Sequence, residues 1–225
     1  MKRNALEPNI QELPKVIPVF PLNGALMLPG GRLPLNIFEP RYLNLVRDVL
    51  QSEHRVFGMI QSNPGASQDE MNPILYSVGC LGRISSFEET SDGRFLISLD
   101  GLIRFRMKDE AEMQDGYRRI AVDYNEFIAD LDVKTPEINR DRLLTALKTF
   151  FDIKGFTADW DAIRECGGEK LVTTLAMICP LEPEDKQALL EAPNTPDRCD
   201  ILATLLEMEN STHDKRPGDE SHVRH

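Results

Sequence analysis

The sequence predicts an α+β protein, with a β-rich region over residues 15–130 followed by a helical region over residues 136–209. Before residue 130, apolar residues alternate with polar ones or stand in short runs bounded by Pro and Gly, which is the pattern of strands. After Pro136 they recur three and four positions apart, which is the pattern of helices. A third observation sets the character of the β region. Residues 17–46 hold five prolines and three glycines among apolar side chains, with no His, Cys, Ser or Asp to begin a reaction. Proline cannot donate to a sheet ladder and fixes its own φ, so this stretch reads as short edge strands joined by rigid turns.

Each element follows in order. Residues 1–14 are polar and read as a flexible N-terminus. Residues 16–20 and 33–38 read as strands, separated by a turn region at 24–31. Residues 40–51 form a helix that Pro40 can open, with Tyr42, Leu45, Val46, Val49 and Leu50 at helical spacing. Residues 56–61 return to strand, and the polar run 63–70 is a mobile loop. Residues 77–89 and 94–100 form a hairpin around Ser91-Asp92-Gly93, because Asp-Gly suits a tight turn. Phe95, Ile97 and Leu99 alternate with Leu96 and Ser98, so one face of that strand is buried. Ile103, Phe105 and Met107 alternate with Arg104, Arg106 and Lys108, which leaves one face cationic. Residues 119–127 close the β region.

The helical region begins with Leu143, Leu144, Leu147, Phe150 and Phe151 on a helix that ends at Gly155. A short helix over 159–166 has an Asp cap, and residues 169–178 carry Leu171, Val172, Leu175 and Ile178 on one face. Pro183 opens a helix through Leu190, and Pro196 opens the last, with Cys199, Ile201, Leu202, Leu205 and Leu206 on its apolar side. Trp160 is expected as an anchor inside this region. Residues 210–225 read as a disordered tail.

Composition narrows the function. A net charge of −11 disfavours nucleic acid and anionic membranes as main partners, because both reward clustered Lys and Arg. The basic start has no apolar run behind it, and no stretch approaches the ~18 apolar residues that span a bilayer. Cys80, Cys166, Cys179 and Cys199 lie far apart without CxxC spacing, as reduced thiols do. A cytoplasmic protein with no membrane contact is the expectation.

Little in the chain suggests catalysis, metal or cofactor. A nucleophile could be improvised from Cys80 and His54, but a Cys nucleophile needs a base or positive field, and Cys80 sits in an apolar strand. His213, His222 and His225 share the tail with acids, yet their spacing matches no closed tetrahedral site. Glu88, Glu89, Glu182, Glu184 and Asp185 read as solvent-facing or helix-start acids. Glu39 and Arg41 flank the first helix and read as a local pair that complements its start.

Four groups of residues carry a resemblance. They are Pro18-Val19-Phe20-Pro21-Leu22 with Leu28-Pro29-Gly30, then residues 33–42, LPLNIFEPRY, and then residues 78–84 and 92–105. A last piece is 186–191, KQALLE. Together they resemble the amino-terminal substrate-binding domain of Lon proteases, in the stand-alone bacterial form. The resemblance implies a PUA-like β pseudo-barrel followed by an α-helical bundle, and recognition of unfolded or apolar polypeptide segments. The ATPase and peptidase modules of full Lon proteases have no counterpart here: no G-x-x-x-x-G-K-S/T loop occurs, and no Lys directly follows Gly.

The expected function is therefore a non-catalytic protein- or peptide-binding domain, an adaptor or regulator of proteolysis rather than an enzyme. Leu26, Met27 and Leu28, apolar and near glycines, are the candidate peptide-binding residues, against a reading in which they plug the barrel end. Because PUA-like folds include RNA binders, Arg104, Arg106 and Lys108 are the alternative, an anionic-ligand face for RNA or a small ligand. The acids around them favour instead a solvated face of local ion pairs. A hydrolase built on Cys80 is the third and weakest reading.

Overall fold

The structure, a computed structural model, describes residues 10–63, 73–132 and 137–214. The expected mobile loop at 63–70, apart from Asn63, lies outside these residues. So do residues 1–9 of the N-terminus and residues 215–225 of the tail, with His222 and His225. The chain divides into two compact units, Met1–Lys134 with Thr173–Glu191, and Thr135–Val172 with Ala192–His225. Residues 173–191, which periodicity places among the helices of the second half, are thus part of the sheet-bearing unit.

The first unit contains the six strands found among the described residues. They are β1 (Val16–Pro21), β2 (Arg32–Ile37), β3 (Val56–Ile60), β4 (Val78–Glu89), β5 (Phe95–Gln114) and β6 (Tyr117–Asp123). Five of them close a ring in which β5 pairs with β4, β4 with β3, β3 with β1, β1 with β6, and β6 with β5. Only the β1–β3 pair is parallel. β5 is too long for any one neighbour. One edge pairs with β4; the other pairs with β2 over Phe95–Asp100 and with β6 from Arg106 onward. Sequence alternation splits β5 at Gly101, whereas the strand runs through it.

The ring is filled from within. Phe57, Leu81, Phe105, Ile17 and Val19 are fully buried. The Phe105 ring lies over the backbones of β3 and β4. A Cβ on Gly58 would sit 2.9 Å from Phe105 Cε1, and one on Gly79 would meet the same ring and stand 2.6 Å from the Met59 carbonyl oxygen. Two glycines in adjacent strands therefore make the space that one aromatic ring occupies. Helix α1 (Pro40–Gln51) turns Tyr42, Leu45, Val46 and Val49 inward at the expected spacing, and Tyr42 packs on Phe20 with ring centroids 4.1 Å apart.

The junction between the first strands is a turn and a bulge. Gly31 N–H donates to the Leu28 carbonyl at 3.0 Å. Pro29 and Gly30 take the central positions, Gly30 with φ +73°, as a type II turn requires. Gly30 N–H then donates to the Gly101 carbonyl at 2.9 Å, and Gly101 N–H donates to the Gly31 carbonyl at 2.8 Å, so two residues face one. The Leu28 carbonyl lies so close to Gly101 that a Cβ there has no room. Antiparallel alternation from this point directs the backbone groups of Leu33, Leu35 and Ile37 toward β5. Those of Arg32, Pro34 and Asn36 point to the open edge.

Helix α5 (Pro183–Glu191) joins this unit through buried polar side chains. Gln187 Nε2 donates to the Val78 carbonyl at 3.2 Å, and Gln61 Nε2 donates to Gln187 Oε1 at 3.1 Å. Lys186 Nζ donates to the Gly24 carbonyl at 2.6 Å.

The second unit rests on α2 (Arg140–Lys154) and α6 (Thr195–Asp214), with the short α3 (Trp160–Glu165). Contacts advance in the same direction along α2 and α6. Arg142 binds Glu207 through Nε and Nη2 at 2.9 and 2.7 Å, and Asn210 Nδ2 donates to the Ala146 carbonyl at 3.1 Å. Asn139 caps α2, and Asp159 caps α3 as its residue type predicts. Helix α4 (Gly168–Ile178) runs across the division between units. Two expectations are corrected. Trp160 is half-buried against Phe151, ring centroids 5.8 Å apart, rather than enclosed. And α6 continues to Asp214, so the first residues of the expected tail are helical.

Candidate functional site

The residues that sequence reasoning selected serve the interior. Leu26, Met27 and Leu28 are 2%, 2% and 0% exposed. The Met27 methyl fills the space above Gly82, where a Cβ would lie 2.7 Å from it. These side chains plug the barrel and cannot meet a peptide from solvent.

The cationic strand is neutralised residue by residue. Arg104 is 3% exposed. Its guanidinium binds both Asp130 oxygens, at 2.9 and 2.8 Å, and donates to the Leu190 carbonyl at 2.9 Å. Arg106 binds both Glu126 oxygens at 2.6 and 2.7 Å, and Lys108 pairs with Asp123 at 3.2 Å. The Arg106 guanidinium holds Glu126 below the usual carboxylate range. The Asn125 N–H and then Lys108 do the same for Asp123. Sequence alternation put three cations on one open face, but the 3-10 helix Asn125–Leu131 brings Glu126 and Asp130 onto it.

Cys80 and His54 are not brought into one site. Cys80 is fully buried in β4, whereas His54 lines a cavity of about 220 Å³ beside Asp48, Val56 and Tyr117. Among the described residues no three His, Cys, Asp or Glu side chains are placed to hold a metal ion. Arg41 pairs with Glu39 at 2.9 Å, as expected of a local pair at the start of α1.

A surface that sequence reading missed lies where β2, β5 and β4 extend together. Residues opposite one another in a sheet share a face. Leu35, Ile97 and Phe87 stand in one cross-strand row; Ile37, Phe95 and Glu89 stand in the row two residues along. Phe95, Ile97 and Ile37 are buried, but Leu35 is half-buried and Phe87 is 42% exposed. Phe87 and Phe95 meet edge to face at 5.0 Å. Phe38, at the end of β2, is 61% exposed, with Arg94 over its ring at 5.8 Å. From the flank of α1, the Arg47 guanidinium stacks over Phe95 at 5.2 Å. The result is an apolar, aromatic surface edged by arginine and by the exposed Glu89. The alternation of Phe95, Ile97 and Leu99 marks this face as apolar in the sequence; only the structure places its outer row at the margin of the core.

Comparison with known proteins gives a consistent picture. The model of the ATP-dependent protease La (LON) substrate-binding domain matches residues 16–208. Lon protease 1 of Bdellovibrio bacteriovorus is 29% identical over 198 residues, covering 85% of this chain and 24% of that protein. Lon protease 2 of Myxococcus xanthus is 24% identical over 203 residues, with 88% and 24% covered. The chain thus spans about a quarter of the length of these relatives. Among solved structures, the Lon N-terminal domain protein from Xanthomonas campestris superposes with a TM-score of 0.60 at 24% identity, covering 84% of this chain and 97% of that one. The N-terminal domain of Mycobacterium avium complex Lon protease gives 0.57 at 15% identity, with 86% and 98% covered. These structural likenesses extend to the fold.

Proposed function

The chain belongs to the LON substrate-binding domain family, and on that premise we propose that it is a non-catalytic module that holds polypeptide segments on the Leu35–Ile97–Phe87 face. The carrying observation is Phe87, a large aromatic left 42% exposed in an apolar row whose other members are the buried Ile97 and the half-buried Leu35. Exposed aromatics of this kind supply contact area at little entropic cost and gain on desolvation. Serving proteolysis as an adaptor or regulator is the role this reading implies.

Binding uses the face rather than the edge. Strand addition to β2 needs donors along its open side. Pro34, whose nitrogen points to that side, supplies none at the middle of the strand. The RNA or small-ligand alternative has less support, since Arg104 is enclosed and Arg106 and Lys108 are ion-paired.

The test is anisotropy of a labelled, permanently unfolded protein such as reduced carboxymethylated α-lactalbumin, titrated with this protein. Binding should weaken roughly tenfold or more in Phe87→Ser, the order expected from losing one aromatic contact. Equal affinity in the parent, Phe87→Ser and Leu35→Ser, or no binding by the parent, would remove the proposal.

A further inference from the structure

We infer that Arg47 gives this face a preference for apolar segments that carry an acidic side chain. The inference rests on the polypeptide-binding reading above and adds a specificity to it. Arg32, Arg41, Arg94, Arg104, Arg106 and Arg118 of the same unit each have a carboxylate partner. Arg47 differs. It is exposed, it has no carboxylate within 4.0 Å among the described residues, and its side-chain hydrogen bond is a long one to Asn44 Oδ1 at 3.4 Å.

Its position is nevertheless set. The guanidinium stacks on Phe95 at 5.2 Å, next to the Phe87 row. Attraction to the ring holds the charge beside Phe95, and the exposed side chain keeps donors open to solvent. With Nη1 engaged by that one long bond, Nε and Nη2 remain for a carboxylate, which a guanidinium binds through two parallel hydrogen bonds. Beside an apolar row, that receptor selects a segment whose apolar residues cover Phe87 while a neighbouring Glu or Asp reaches Arg47. The occupant is thus an acidic-apolar stretch within a polypeptide, even though the whole chain bears −11. At physiological salt that net charge is screened within about 8 Å, so the contact is decided locally.

Two other charged groups lie close by. Glu89 stands opposite Phe95 on the same face and is exposed. It competes for the field of Arg47 without forming an ion pair, so removing its charge strengthens the preference. Arg94, over Phe38, is held by Asp92 at 2.9 Å and does not act as a second receptor.

The experiment uses two short apolar peptides, acetylated and amidated so that no terminal carboxylate is present, identical except for one Glu or Gln. Calorimetric titration into the full chain should show the Glu peptide binding about three- to fivefold tighter, the range for a partly exposed charge pair. The advantage should vanish in Arg47→Met, which keeps the apolar stem, and should grow in Glu89→Gln. Circular dichroism should show Arg47→Met folded like the parent. Equal binding of both peptides to the parent overturns the inference while leaving the polypeptide-binding reading intact. A Glu advantage that persists in Arg47→Met removes Arg47 as its source. If neither peptide binds the parent, both the reading and the inference fall.

Discussion

Asp130 receives three hydrogen bonds from Arg104: the backbone N–H at 3.0 Å, Nε at 2.9 Å and Nη2 at 2.8 Å. The backbone contact explains the position. On the edge of β5 that β2 and β6 share, pairing with β2 stops at Asp100, opposite Arg32, and pairing with β6 starts at Arg106, opposite Asp123. Gly30 and Gly31 cover Gly101, and the Asp130 carboxylate covers Arg104, so a side chain stands in for a strand. Removing one partner of a buried pair leaves the other charge uncompensated. Asp130→Ala should therefore cost about 3–5 kcal/mol in urea unfolding followed by circular dichroism. Replacing both partners, Arg104→Met with Asp130→Leu, should recover much of that loss. Recovery should stop short by about 1 kcal/mol or more, because the Arg104 N–H still lacks an acceptor.

The Phe105 ring sets a second expectation. Gly79→Ala places a methyl group against that ring and the Met59 carbonyl, which are both buried. Overpacking of this kind costs about 1–3 kcal/mol. In Phe105→Leu the same substitution should cost less, and the difference between the two losses of unfolding free energy, each from denaturant titration, measures the coupling. Independent, additive effects would show that the ring does not depend on the glycine.

Pro34 protects the open edge of β2. Its own backbone groups face outward, so Pro34→Val restores a donor there without disturbing the ladder to β5. The variant should stay folded and self-associate as its concentration rises, seen as a concentration-dependent sedimentation coefficient. A monomer indistinguishable from the parent would mean that some other feature guards the edge.

Thiol chemistry should follow burial. Cys80, Cys179 and Cys199 are buried and Cys166 is half-exposed. Burial pushes the Cys179 thiol up to about 11 from 9.0. With a thiolate fraction near pH 8 roughly a hundredfold below that of an open thiol, it should alkylate well after Cys166, by peptide mass mapping. The same shift bears on stability. The unfolded thiol ionises near 9.0 and the folded one near 11, so this contribution is complete below pH 9 and is lost as pH rises to about 11. Lys186, pushed down by the same burial, acts with the opposite sign and offsets part of that loss.

The order of strands and helices was legible because each segment states its own period. Val16–Pro21, Pro40–Gln51 and the cap at Asp159 are local matters of proline, spacing and side-chain oxygen. The site was not legible, because exposure is decided by distant chain. Leu26–Leu28 look free until Gly82 is seen beneath Met27, and Arg104 looks cationic until residues 125–131 fold over it. Phe87 reads like any inward strand residue, and only the finite width of a three-strand extension leaves it at the rim. Residues 186 and 187 carry polar side chains whose burial depends on acceptors more than 100 positions away, at Gly24 and Val78.

The shared edge of β5 bears on how the protein assembles. β6 follows β5 directly and needs only the reversal at Asp115-Gly116, whereas β2 must arrive from far upstream, Arg32 meeting Asp100 across 68 residues. Short-range pairing is fast and long-range closure is slow. During refolding, the β5–β6 hairpin should regain its ellipticity before β2 docks, and affinity for unfolded chains should return only with that later phase. Competence to hold a client would then be a late certificate of the protein's own maturation, and a half-folded molecule would have no platform on which to mistake its own exposed segments for cargo.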